Sequence, residues 1–103
     1  MPDIPKEVVI ENYLKSEIEK LGGKCYKINS LSTNGLPDRL CLVLGQVWFI
    51  ETKRPKNGRV SKIQEIIGEE LRKYTDNYAV AWTKSDVDKL IRKIQYNATT
   101  KNS

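Results

Sequence analysis

The chain contains no histidine. That removes the commonest general base and the commonest transition-metal ligand at a stroke. Any hydrolytic chemistry must be built from carboxylates, lysine and a metal held by oxygen. Cysteine is scarce as well: Cys25 and Cys41 lack metal-ligand spacing and sit in apolar strand patterns, which predicts reduced packing residues of a cytosolic protein. No apolar run is long enough for a membrane span, and the N-terminus is mixed and charged, without the pattern of a secretory leader. Aromatic residues are few. Trp48 and Trp82 fall in strand patterns and are expected in the core rather than as base-stacking platforms. Low-complexity tracts and internal repeats are absent too.

What is present is a short basic chain. Its 103 residues suffice for one domain, and a hydrophobic content of 39% fills one core and no more. The net charge of +5 favours a polyanionic partner. Apolar periodicity predicts a helix from near Lys6, with Ile10, Leu14, Ile18 and Leu21 on one face and Gly22-Gly23 as its stop. A strand over 24–29 follows. Two further strands are expected at Asp38–Leu44 and Val47–Lys53, joined by Gly45-Gln46 as a type II′ turn. A second helix is predicted over 61–75, a strand over 78–83, and a last helix capped by Ser85 and ending near Tyr96, with 97–103 a frayed tail. The order αβββαβα implies an α/β domain with a central mixed sheet flanked by helices, its core spanning about 6–96.

The chemistry concentrates in Gly35-Leu-Pro-Asp38 and Glu51-Thr-Lys53. With Leu44 paired to Val47, Asp38 would face Lys53 and Leu40 would face Glu51. Strand alternation then puts Asp38, Glu51 and Lys53 on one face, the two acids diagonal neighbours. Two carboxylates so placed suit a shared Mg²⁺. Lys53 is placed to orient or deprotonate a water, or to stabilise a phosphoryl transition state. A structural salt bridge is the competing reading.

Other residues have two readings. Glu7 lies on the core-facing arc of the first helix and Glu11 at its edge, although acids in the first turns also suit the helix dipole. Gln64 fits a capping box with Ser61, yet also points toward the sheet. The stretch 53–62 carries Lys53, Arg54, Lys56, Arg59 and Lys62 without an acid, suited to phosphates or simply a solvated loop. Arg39 alternates to the face opposite Asp38, to pair elsewhere or reach round to phosphate.

Taken in order, Glu7-x-x-Ile10 with Leu14, Ile18 and Gly22, then Gly35-Leu-Pro-Asp38-Arg39, Glu51-Thr-Lys53 and Ser61-x-x-Gln64, resemble the PD-(D/E)xK nuclease superfamily. Within it the chain resembles the virus-type replication-repair nuclease (VRR-NUC) domain, from about Glu7 to Ile94. The resemblance implies a restriction-endonuclease-like core. It implies Asp38 and Glu51 as ligands of Mg²⁺ or Mn²⁺ with the Thr52 carbonyl as a third, Lys53 as the catalytic lysine, and Glu7 and Gln64 as auxiliary site residues. Glu11 stands where the family often has Gln, either to hold a second cation or as a surface substitution. The family's stand-alone phage members look like homodimeric endonucleases acting on branched DNA such as four-way (Holliday) junctions. The resemblance therefore implies a DNA partner, a homodimer and, for a phage-encoded chain, the host cytoplasm. The dimer interface is expected around 30–36 or on the outer faces of the first and last helices. A non-catalytic DNA-binding module and a general or sequence-specific duplex nuclease are the alternatives.

Overall fold

A computed structural model describes residues 6–29, 35–53 and 62–101. Helix α1 (Lys6–Lys20) leads into β1 (Lys24–Lys27), β2 (Arg39–Val43) and β3 (Gln46–Thr52). Helix α2 (Lys62–Tyr74), β4 (Tyr78–Ala81) and α3 (Lys84–Lys101) follow. This is the αβββαβα order expected. The sheet runs β1-β2-β3-β4, antiparallel across the first two pairings and parallel between β3 and β4. A parallel pair needs a crossover, and α2 supplies it.

Four-residue spacing explains the core. Ile10, Leu14 and Ile18 of α1 meet Val87, Leu90 and Ile94 of α3 over Cys41, Val43, Trp48, Ile50 and Ala81 of the sheet. The Tyr13 hydroxyl ties the two helices by donating to Asp88. Helix α2 covers the other sheet face, where Gly68 lets it approach the Tyr78 ring. Helix α1 ends in a Schellman motif: Gly22 takes φ +82°, the Gly23 N–H donates to Ile18 O and the Gly22 N–H to Glu19 O. Among the described residues no helix is long and apolar enough to cross a membrane.

Four sequence expectations are corrected. The β2–β3 turn is Leu44-Gly45, not Gly45-Gln46: Leu42 pairs with Val47 and Val43 with Gln46. Both turn residues have positive φ, 49° and 74°, which is the type I′ pattern whose twist matches the strands. Gln46 moves into β3 and is buried, its amide donating to Ile94 O at 2.9 Å and accepting from Trp48 Nε1 at 2.9 Å. The cap of α3 is Thr83 rather than Ser85. Its hydroxyl accepts the Asp86 N–H while Asp86 accepts those of Trp82 and Thr83, a reciprocal box. Helix α3 also runs on to Lys101 instead of fraying after Tyr96. No Gly or Pro interrupts that stretch, and Thr99 and Thr100 bond back to Gln95 and Asn97 carbonyls. Trp48 is buried as expected, whereas Trp82 lies just past β4 and is half-buried.

Gly35 connects the fold to the site. It adopts φ +89°, and a Cβ there would lie 2.4 Å from the Ile63 side chain and 2.9 Å from its backbone. Gly35→Ala is therefore expected to cost about 2 kcal/mol or more, through αL strain plus collision with the start of α2. Denaturant unfolding checks this: an unchanged midpoint would mean that the loop and α2 do not meet as described.

Candidate active site

Strand pairing brings the predicted acids closer than expected. Arg39 pairs with Ile50, so one further step of the same register sets Asp38 opposite Glu51. The expected register is off by two residues, because the turn lies one residue earlier in the chain. A shift of two preserves which face each side chain occupies, so Asp38, Glu51 and Lys53 remain together. Pro37, fully buried, fixes the backbone immediately before Asp38.

Asp38 is held by Thr52. Its Oδ1 accepts the Thr52 N–H at 2.8 Å and its Oδ2 the Thr52 hydroxyl at 2.8 Å. Thr52 was expected to contribute its carbonyl only; its amide and hydroxyl are a role that the sequence did not single out. A Thr between Glu51 and Lys53 was the only available signal. Glu51 is 3% exposed. It takes the Gln64 amide at 2.7 Å and the Lys53 ammonium at 3.3 Å. Gln64 thus turns to the sheet, and the Ser61 half of the proposed capping box lies outside the described residues.

Helix α1 closes the other side. Glu11 accepts from Arg39 at 3.2 Å, and its second oxygen lies 3.4 Å from the Thr52 hydroxyl. Both partners are largely buried, so Glu11 is no surface substitution and Arg39 is committed to the acid cluster. Arg39 Nε is buried without a hydrogen-bond partner. Glu7 falls in the first turn of α1, but its side chain lies outside the described residues, as do Arg54, Lys56 and Arg59. Lys62 opens α2 and is exposed.

Charge in this cluster is unbalanced. Glu11 has Arg39 and Glu51 has Lys53, but among the described residues no ion pair reaches Asp38. Burial, then the neighbouring Glu11 carboxyl, pushes the Asp38 pKa up to about 7, against the opposing Thr52 hydrogen bonds. Burial likewise raises Glu51, with Lys53, the Asp38 amide and Gln64 opposing. Burial also acts to raise Glu11, but its link to Asp38 and the charge of Arg39 outweigh that and leave it lowered. Among the described residues no three Asp, Glu, Cys or His side chains form a ready metal cage. The arrangement is two facing carboxylates with a lysine beside them.

The sign of the Asp38 shift sets a pH dependence. A carboxyl raised from its ordinary value to about 7 is protonated in the folded chain while still ionised in the unfolded one. Folding takes up a proton in that window, so this contribution grows as pH falls from 7 toward 4 and is lost as pH rises through 7. In EDTA, wild type is expected to gain more stability than Asp38→Asn between about pH 8 and pH 5.5. Parallel stability curves for the two proteins would contradict it.

The constellation has known relatives. No family model matches the sequence. A solved structure described as a VRR_NUC domain superposes with a TM-score of 0.80 at 33% identity, covering 86% of this chain and 97% of that one. "Putative nuclease p44" of Acyrthosiphon pisum secondary endosymbiont phage 1 is 45% identical over 51 residues. That match takes in 48% of this chain and only about half, 55%, of the phage protein. Similarity over nearly the whole of a solved domain, together with the αβββαβα order, shows that the chain belongs to the VRR-NUC family.

Proposed function

We propose that this chain is a Mg²⁺- or Mn²⁺-dependent DNA endonuclease that hydrolyses phosphodiester bonds, with branched DNA such as four-way junctions as its preferred substrate. The observation that carries the reading is the half-buried Asp38 opposite the buried Glu51, with Lys53 alongside and, among the described residues, no cation paired to Asp38. The kinship with the VRR_NUC domain and the phage protein supports nuclease chemistry. The branched substrate rests on the family resemblance.

The donor set fits a hard cation. Mg²⁺ takes one or two carboxylates and keeps several waters, so two facing acids are enough. Asp38 and Glu51 would hold it, with the Thr52 carbonyl as a third donor and Glu7 or Glu11 as a further acid nearby. Bound there, the ion would acidify water and screen charge on a phosphoryl oxygen. Thr52 fixes Asp38 through two hydrogen bonds, so that carboxylate needs little reorganisation. Gln64 fixes Glu51 in the same way. Lys53, already 3.3 Å from Glu51, can turn its ammonium to the scissile phosphate and stabilise charge that grows on it. Arg39 neutralises Glu11 and so moderates repulsion toward DNA. Lys62, with Arg54, Lys56 and Arg59, supplies cations for the phosphate backbone. The host cytoplasm is the compartment this reading implies for a phage-encoded chain.

Asp38→Asn or Glu51→Gln is expected to abolish cleavage while keeping DNA binding, because each removes a metal donor and a negative charge facing phosphate. Lys53→Ala is expected to lose ~10²-fold in rate with the metal requirement unchanged. Labelled duplex, single-stranded and four-way-junction DNA, incubated with Mg²⁺, Mn²⁺ or EDTA, checks all three. Cleavage in EDTA, or a fully active Asp38→Asn, would overturn the reading.

Symmetric incision of a junction calls for two sites, hence a homodimer. The exposed apolar side chains add the sheet face that α2 leaves open to the expected candidates, the outer helix faces, where Val8 and Tyr96 are also exposed, and 30–36, most of which lies outside the described residues. On that sheet face Tyr26, Leu42 and Val47, with Leu44 at the turn, are 40–50% exposed. Leu42 and Val47 are direct cross-strand neighbours, so they form one patch. Leu42→Asp with Val47→Lys is expected to give monomers in light scattering. A dimer that survives both changes would place the interface elsewhere.

A further inference from the structure

Cys25 and Cys41 face each other across β1 and β2. Whether such a pair can join depends on its place in the ladder. Ile28 N–H donates to Asp38 O at 2.8 Å, and Ile28 and Asp38 lie opposite each other when the β1–β2 register is extended. Hydrogen-bonded and non-hydrogen-bonded pairs alternate along an antiparallel ladder. Counting back, Lys27–Arg39 is a non-hydrogen-bonded pair, Tyr26–Leu40 a hydrogen-bonded one, and Cys25–Cys41 again non-hydrogen-bonded. In that class the Cα atoms are about 4.5 Å apart and the side chains converge. A disulfide accepts Cα separations of roughly 4.4–6.8 Å. Both cysteines are free in this structure.

The two thiols are not equivalent. Cys41 is wholly buried beneath α1, whereas Cys25 is only half-buried, at the sheet edge. The Cys41 thiol hydrogen-bonds the Cys25 sulfur and, with the Arg39 and Lys15 charges, holds its pKa below the ordinary thiol value, against burial and the Glu19 charge. The same contact and burial hold Cys41 in its thiol form. One sulfur is thus accessible and nucleophilic, and the other sits behind it as a resolving thiol.

We infer that Cys25 and Cys41 are a redox-modification site, at which a hydroperoxide such as hydrogen peroxide drives a reversible intramolecular disulfide joining β1 to β2. The Cys25 thiolate attacks one peroxide oxygen. The O–O bond breaks, leaving Cys25 sulfenic acid and a hydroxide that takes up a proton to become water. The Cys41 sulfur then attacks the Cys25 sulfur: the S–S bond forms, the S–O bond breaks, and the departing hydroxide takes the Cys41 proton as a second water. Both sulfurs are oxidised and both peroxide oxygens reduced, so the step needs nothing beyond the peroxide. The bridge closes the stretch of chain that carries Asp38 and Arg39, although the inference does not depend on the nuclease reading.

The test is intact-mass and peptide mapping of the full-length reduced protein after equimolar hydrogen peroxide. The expected product is a monomer lighter by two hydrogens, with a Cys25–Cys41 cross-linked peptide, restored by dithiothreitol. Cys25→Ser replaces a half-buried side chain, and its Cys41 is expected to stay unmodified because no peroxide reaches it. Unchanged wild-type thiols, sulfinic acids in place of the bridge, disulfide-linked dimers, or oxidation of Cys41 in Cys25→Ser at the wild-type rate would each overturn the assignment.

Discussion

The grip of Thr52 on Asp38 is the interaction around which the site is arranged. One residue of β3 gives its amide and its hydroxyl to a carboxylate at the entrance to β2, each at 2.8 Å. Thr52 is itself fully buried, so its hydroxyl has little choice of partner. This bond pair sets the Asp38 carboxylate against Glu51 and Glu11 despite their like charges. Repulsion and burial would expel an acid from such a place. Thr52 keeps it there, but neutral hydrogen bonds do not cancel the charge, and the raised Asp38 pKa is the result. Among the described residues the site carries more carboxylates than cations, the imbalance on which the proposed cation binding rests.

The remainder of the fold serves to keep those groups converging. Helix α1 must sit on the sheet for Glu11 to reach Arg39, and it is held there by Ile10, Leu14 and Ile18 over Trp48 and Ile50. Helix α2 must lie on the opposite face for Gln64 to reach Glu51, which Gly68 against Tyr78 permits. The two helices approach the site from opposite faces, and the end of β3 lies between them. Residues adjacent in sequence, Glu51 and Thr52, point to opposite faces, so one strand end addresses both helices.

Most of this was legible because strands and helices impose fixed periods. The spacing of Ile10, Leu14 and Ile18 gave α1, and the Asp38–Glu51–Lys53 set followed from alternation alone. The turn was misread because Gly45 signals a turn without saying which position it fills. A Leu at φ 49° is not a turn residue that propensity would choose. The error was harmless to the site only because it moved the register by two residues. The cap of α3 is expected at Ser85, but Thr83 fills it, because the Asp86 carboxylate reaches back to Thr83. The Thr52 hydroxyl and the Arg39–Glu11 pair were not legible, since both depend on how α1 docks, which no local pattern encodes. The facing cysteines were hidden for a similar reason: sixteen positions separate them in sequence, and only strand register makes them neighbours.

The central claim is the proposal that the Asp38 and Glu51 carboxylates, at the ends of β2 and β3, hold a divalent cation. Anomalous diffraction from crystals grown with Mn²⁺ tests it directly. The account predicts one peak between Asp38 and Glu51, at about 2.0–2.2 Å from an oxygen of each, and its loss in Asp38→Asn. Mn²⁺ held elsewhere, or no peak with Asp38 still bonded only to Thr52, would contradict it.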